Sequence, residues 1–208
     1  MLAENAIAEF KGCLLTQGVK PGSFLTLKEI SSLLEIPLGK TREVTQRLAL
    51  EGFVQIHPQR GIQVTSITVQ TIHDAFRFRS IMEEAAVAQF AVKGHIDKIN
   101  NLIEKTEALK SLDTEAPDFH DKVASVDWEM HFSFIENESN VFLSNAYKLN
   151  ATYIRWIRAN TKIPPTRDLD VIEEHLAILN GCLARNPEAA VTAIRLHLKK
   201  ASKQALEG

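Results

Sequence analysis

From Thr68 to the C-terminus no stretch of the chain alternates polar and apolar residues as a half-buried strand must. Apolar residues recur instead at three- and four-residue intervals in six segments: 68–94, 97–112, 117–138, 141–160, 169–185 and 187–206. The breaks fall at Gly94-His95, around Pro117, at Asn137–Asn140, at Pro164-Pro165 and at Asn186-Pro187. Six helices with short connections predict a compact antiparallel bundle, whose sites are built from inward-facing side chains.

The chain before Thr68 reads differently. Ile7, Phe10, Leu14 and Leu15 give residues 2–17 a helical face, and Gly18 ends it before the turn VKPGSFL. Thr26 and Glu29 form a capping box for a second helix carrying Leu27, Ile30, Leu33 and Leu34. Pro37 suits the first turn of a third, which runs through KTREVTQRLALE and stops at Gly52. In FVQIHPQRGIQVTS two alternating runs flank Pro58-Gln59-Arg60-Gly61, the pattern of a hairpin. Three helices and a two-stranded wing make a winged helix-turn-helix. The expected fold is therefore mostly α: a winged helix-turn-helix in residues 1–66 and an all-helical bundle in 67–208, joined at Thr65–Val69.

Composition narrows the function. With 208 residues, 45% hydrophobic and 24% charged, the chain has room for two modest domains. It has no apolar run of the roughly 18 residues a membrane span needs. The start, MLAENAIAEFKG, is acidic and amphipathic, unlike a secretory leader, so the expected compartment is the cytoplasm. Cys13 and Cys182 are then expected as free thiols. Residues 1–66 hold seven Lys/Arg against six Asp/Glu, and 67–208 hold seventeen against twenty. Neither part is strongly basic, so DNA affinity must come from a few placed cations and from dimerisation.

In a helix-turn-helix the second helix enters the major groove with its N-terminal residues against base edges. Here that helix begins near Pro37, and its candidates are Lys40, Thr41, Arg42, Thr45 and Gln46. Arg42 can pair with guanine or phosphate, Lys40 and Thr41 suit phosphate or base contact, and Gln46 can read adenine. Arg60 at the wing tip is placed for phosphate or the minor groove. Arg47 is expected to face away or to pair with Glu51. Homodimers of such motifs read near-palindromic double-stranded operators with half-sites about one DNA turn apart.

The bundle carries a second constellation. Asp127 and His131, four apart in VDWEMHFSF, share one helix face. His175 in IEEHLAIL and His197 in IRLHLKKA lie in separate apolar-periodic stretches. Three imidazoles and a carboxylate suit a divalent metal ion, zinc or nickel above all. Glu129, Glu173 and Glu174 are the sequence-near acceptors for the imidazoles' second nitrogens. His57, His73, His95 and His120 lack such a pattern and are read as structural or surface residues. Trp128, Trp156, Phe76, Phe78 and Phe90 are read as core.

The run PLGKTREVTQRLALEGFVQIHPQRGIQV resembles the DNA-binding domain of the GntR superfamily: Arg42-Glu43, Glu51-Gly52-Phe53-Val54, Arg60-Gly61 and the upstream Pro21-Gly22 fit its pattern. It departs at Pro37-Leu38-Gly39, where the family has Ser-Arg-Thr; Leu38 donates to neither guanine nor phosphate, which leaves the operator sequence open. Residues 67–208 are similar, at scattered positions, to the FCD effector domain of the FadR-type branch. Asp127, His131, His175 and His197 match its metal ligands, with Met130 in place of the usual aromatic, and Arg79 and Glu83 in FRFRSIMEEAA match as well. The resemblance implies that Arg79 faces an effector and that Asn140 opens the following helix near it. A metal with three nitrogens and one oxygen keeps a net positive charge and can accept an anion. A small carboxylate fits, its remaining charge met by Arg79, Arg155 or Arg158. The implied function is a ligand-responsive transcriptional regulator. Two alternatives stand beside it. One is a metal-dependent hydrolase or lyase, for which no general base stands at a telling spacing. The other is a regulator whose metal is purely structural.

Overall fold

The computed structural model describes residues 2–162, 164 and 166–208. They divide into two compact units, one of Met1–Ile72 with Thr152–Thr161 and one of His73–Ala151 with Lys162–Gly208.

The first unit contains α1 (Leu2–Leu15), β1 (Phe24–Leu25), α2 (Leu27–Leu33), α3 (Leu38–Leu50), β2 (Val54–His57) and β3 (Gly61–Val64). The capping box is formed: Glu29 N–H donates to Thr26 Oγ1 at 3.1 Å and Thr26 N–H to Glu29 Oε2 at 2.7 Å. Pro37 stands one place earlier than expected, at the N-cap of α3, where its missing N–H costs nothing. Beyond α3, Gly52 adopts φ +83°, with bonds from Gly52 N to Ala49 O and from Phe53 N to Leu48 O, a Schellman stop that turns the chain into β2. β2 and β3 pair antiparallel, with Val54 opposite Val64 and His57 opposite Gly61. β1 adds to the far edge of β3, Phe24 opposite Gln63 and Leu25 opposite Ile62. Two residues are too few for alternation to show, so the sequence reads this strand as part of a turn. Phe10, Ile30, Val44, Leu48, Phe53 and Val64 form the interior. Tyr153 stacks on Phe53 at 4.5 Å between centroids and donates its hydroxyl to Glu51 O at 2.9 Å, and buried Trp156 leans on the same ring.

The second unit takes in α4 (Val69–Lys93) from His73 on, α5 (Ile96–Ala108) with a 3-10 turn at Leu109–Ser111, α6 (Phe119–Asn137), α7 (Val141–Ala159) as far as Ala151, α8 (Thr166–Leu183) and α9 (Pro187–Glu207). Each expected helical segment is present, within a few residues at its ends. α8 begins at Thr166, ahead of the expected 169, and Pro165 lies outside the described residues. Asn186 caps α9, accepting from Ala189 N–H at 3.0 Å, with Pro187 opening the first turn. Met82, Val87, Phe90, Leu102, Met130, Phe134, Leu179 and Ile194 fill the core. Phe76 and Phe90 are buried as expected, but Phe78 is 44% exposed. Residues two apart on a helix lie some 200° apart around its axis, so Phe78 cannot share the inward face of Phe76. Both cysteines are free. Among the described residues no helix is long and apolar enough to cross a membrane.

Candidate metal centre

Three helices of the second unit bring the four expected ligands together. Asp127 and His131 project from one face of α6, His175 from α8 and His197 from α9, and all four are buried. One donor atom from each lies within 4.8 Å of the others. His131 Nε2 and His197 Nε2 are 3.2 Å apart, and Asp127 Oδ1 is 3.2 Å from His175 Nε2 and 3.7 Å from His131 Nε2.

Carboxylates behind the rings decide what these nitrogens carry. Glu83 Oε2 is 2.6 Å from His131 Nδ1, and Glu174 Oε2 is 2.8 Å from His197 Nδ1. Burial opposes the charge on Glu83, but Arg79 and His131 bring its carboxyl down to about 2. Burial also opposes the charge on Glu174; hydrogen bonds from His197 and Arg167 nevertheless hold it well below the usual carboxylate range. The rings respond oppositely. Burial, aided by the Arg79 charge, lowers His131 despite Glu83. Burial takes His197 down to about 3, against the Glu174 hydrogen bond and with His175 and His131 pushing the same way. Neutral rings facing ionised carboxylates place their protons on Nδ1. Both Nε2 atoms then present bare lone pairs, 3.2 Å apart with no proton between them. That separation is about what two nitrogens roughly 2.1 Å from a shared ion would show. His175 Nε2 is buried and makes no hydrogen bond among the described residues, Asp127 Oδ1 lying 3.2 Å away outside hydrogen-bond geometry, so a cation between the two would satisfy both. The donor set thus fits a divalent transition metal ion.

Supporting groups lock both carboxylates. Arg79 Nε donates to Glu83 Oε1 at 2.6 Å and Tyr147 Oη to the same oxygen at 2.7 Å. Arg167 grips Glu174 with two bonds of 2.8 Å, and Lys200 adds a third cation contact at 2.9 Å. Of the three sequence-near acceptors only Glu174 serves. Glu129 bonds Lys98 and Lys105, and Glu173 pairs with Lys110, because both point away from their helices' inner faces. Sequence proximity missed Glu83 in this role and Tyr147 altogether. The available signal was an ionisable pair, Arg79 and Glu83, on an otherwise apolar helix face.

The other expected site residues divide. Arg79 is buried, its guanidinium 5.6 Å from the Trp128 ring centre, and its Nη2 has no hydrogen-bond partner among the described residues. Asn140 is exposed and occupied otherwise: its Oδ1 accepts from Phe142 and Leu143 N–H, capping α7. Arg155 is exposed and Arg158 half-buried, on the turns of α7 that group with the first unit, not with the ligand cluster. On α3, Lys40, Arg42 and Gln46 are exposed, as are Leu38 at its start and Arg60 at the wing tip. Lys40 pairs with Glu43 at 2.9 Å. Thr41 and Thr45 need correction. Both are buried, and their hydroxyls bond back to the carbonyls of Pro37 and Arg42, so neither side chain is available to a base. Glu51 pairs with Lys11 rather than with Arg47.

Comparison with known proteins agrees with this architecture. The FCD domain family model matches residues 74–200. The uncharacterized HTH-type transcriptional regulator BphR of Paraburkholderia xenovorans (strain LB400) is 26% identical over 208 residues, covering 95% of this chain and 82% of BphR. The fold is similar to that of a GntR transcriptional regulator from Rhodococcus sp. RHA1, with a TM-score of 0.77 at 17% identity over 99% of this chain and 98% of that one. It is also similar to the Zn²⁺-bound FCD domain of TM0439, with a TM-score of 0.54 at 18% identity over 68% of this chain and 96% of that one.

Proposed function

Given that the chain belongs to the FCD domain family, we propose that it is a homodimeric DNA-binding regulator of the GntR superfamily whose bundle, residues 67–208, binds a divalent metal ion and a small carboxylate effector. Residues 1–66 are its operator-binding domain. Asp127, His131, His175 and His197 hold the ion, zinc or nickel. The observation that carries this is the convergence of four buried donor atoms within 4.8 Å, with the Nδ1 of His131 and of His197 each against a carboxylate. The zinc bound by the FCD domain of TM0439 supports the metal class.

When bound, such an ion supplies a positively charged acceptor for an anionic oxygen. Arg79, whose Nη2 is buried without a partner among the described residues, supports a carboxylate as the effector. Glu83 and Glu174 orient the imidazoles and keep their second nitrogens protonated. Effector binding acts on the operator only through different affinities for two arrangements of the dimer.

On DNA, Arg42 and Gln46 meet base edges, while Lys40 and Arg60 meet phosphates or the minor groove. The test is binding to a duplex selected by the protein from random sequence. Arg42→Ala loses roughly ten- to a hundredfold in affinity for that duplex, the range of one bidentate base contact, and keeps its melting temperature. Unchanged affinity would place recognition elsewhere. A purely structural metal is distinguished by His175→Ala, which in that case lowers the melting temperature while leaving any effector response intact.

A further inference from the structure

α3 turns Thr41, Val44, Thr45 and Leu48 into the first unit. Leu38, Arg42 and Gln46 follow one another at steps of about 40° around its axis and form an exposed stripe beside that inner face. Leu38 opens the stripe as the first residue of α3 and is 46% exposed. The exposed part of an apolar side chain contributes nothing to the fold and gives neither a base nor a phosphate a hydrogen bond. Its neighbour Gly39 is not demanded by the fold either. A Cβ added there meets nothing within 4 Å, and glycine weakens a helix relative to alanine. What a bare backbone does offer is close approach to another molecule. The other two residues of the first turn are committed elsewhere. Thr41 is buried, and Lys40 lies about 160° around the axis from Leu38 and pairs with Glu43. Leu38 is therefore the side chain that the first turn presents on the Arg42 side.

We propose that Leu38 is a specificity-determining residue that packs on the 5-methyl group of a thymine in the major groove, one helical turn ahead of the base pair met by Arg42. This rests on the reading of α3 as the recognition helix. Thymine alone among the four bases carries an apolar group on its major-groove edge, and that group is the partner a leucine can distinguish. Four residues of α3 span about 6 Å along its axis. Set against base pairs about 3.4 Å apart, that offset puts the thymine within about two pairs of the one Arg42 meets. Gly39 lets the start of the helix come near enough for the contact. A leucine resting on the sugar instead would be indifferent to the methyl group, which separates the two.

The test uses the full chain and the duplex it selects from random sequence. Thymines of one half-site are replaced one at a time by deoxyuridine, which lacks only the 5-methyl group. One of these replacements lowers wild-type affinity roughly three- to tenfold, as expected for one methyl group taken out of water. Leu38→Ala binds the thymine and uracil duplexes equally at that position and keeps its melting temperature. A duplex in which no thymine responds, or a Leu38→Ala protein that discriminates as the wild type does, overturns the proposal. If Arg42→Ala still loses affinity in that case, the recognition helix stands and Leu38 alone is excluded. Unchanged binding by Arg42→Ala removes the recognition helix itself.

Discussion

At the level of single residues, the proposed metal centre depends on the carboxylates behind two of its rings, Glu83 behind His131 and Glu174 behind His197. Glu174→Gln removes the anion that holds His197 and leaves Arg167 and Lys200 without their partner. Zinc affinity, measured by chelator competition, falls roughly 10- to 100-fold, as loss of such supporting acceptors commonly costs. Burial also makes the metal-free protein acid-sensitive in a defined window. His197 titrates at about 3 when folded and near 6.5 when unfolded, so below about pH 6.5 the unfolded chain binds the extra proton. The stabilisation is complete above that pH and is lost as pH falls towards 3. Glu83, at about 2 against an ordinary 4.5, adds a loss of the same sign at lower pH. His131, lowered by the same burial, adds a loss of the same sign; urea melts of chelator-treated protein at pH 7.5 and 5.5 read the two histidines together, and equal stabilities would contradict the assignment. The ligand residues were legible because a spacing of four on one helix and two histidines in apolar stretches are properties of sequence. Glu83 was not, because it approaches His131 from another helix, and only the packing of α4 on α6 brings it there.

At the level of elements, local chemistry and tertiary context contributed differently. The capping box of α2 is complete within four residues and could be read directly. Thr26→Ala therefore costs about 1 kcal/mol in a denaturant titration. β1 is a product of context, since its two residues become a strand by pairing with β3. That pairing explains Gly61, whose φ is +102° and whose added Cβ would stand 2.8 Å from Leu25 O. Gly61→Ala is expected to cost roughly 1–3 kcal/mol, more than the cap. A cost below that of Thr26→Ala would contradict this strand pairing. Thr41 and Thr45 show where spacing misleads: both lie on the helix proposed to read DNA, yet on its inner face beside Val44 and Leu48. Phe78 errs in the opposite direction, since an apolar residue read as core is outside.

At the level of the whole molecule, the six-helix periodicity and the winged-helix pattern carried the fold, while the composition of the units depended on contacts no pattern records. A boundary drawn at Ser66 assigns all of α7 to the bundle, whereas its last turns, Tyr153 and Trp156 among them, group with Phe53 in the first unit. Regulation, as proposed, requires that the bundle hold one ion through side chains far apart in sequence. The most direct measurement is zinc bound per chain, by equilibrium dialysis and atomic emission, for the wild type, Asp127→Ala and His175→Ala. The account predicts one ion per wild-type chain and a small fraction of that in either variant at the same free zinc, with helical circular dichroism retained. A full equivalent kept by both variants, or none bound by the wild type, would contradict it.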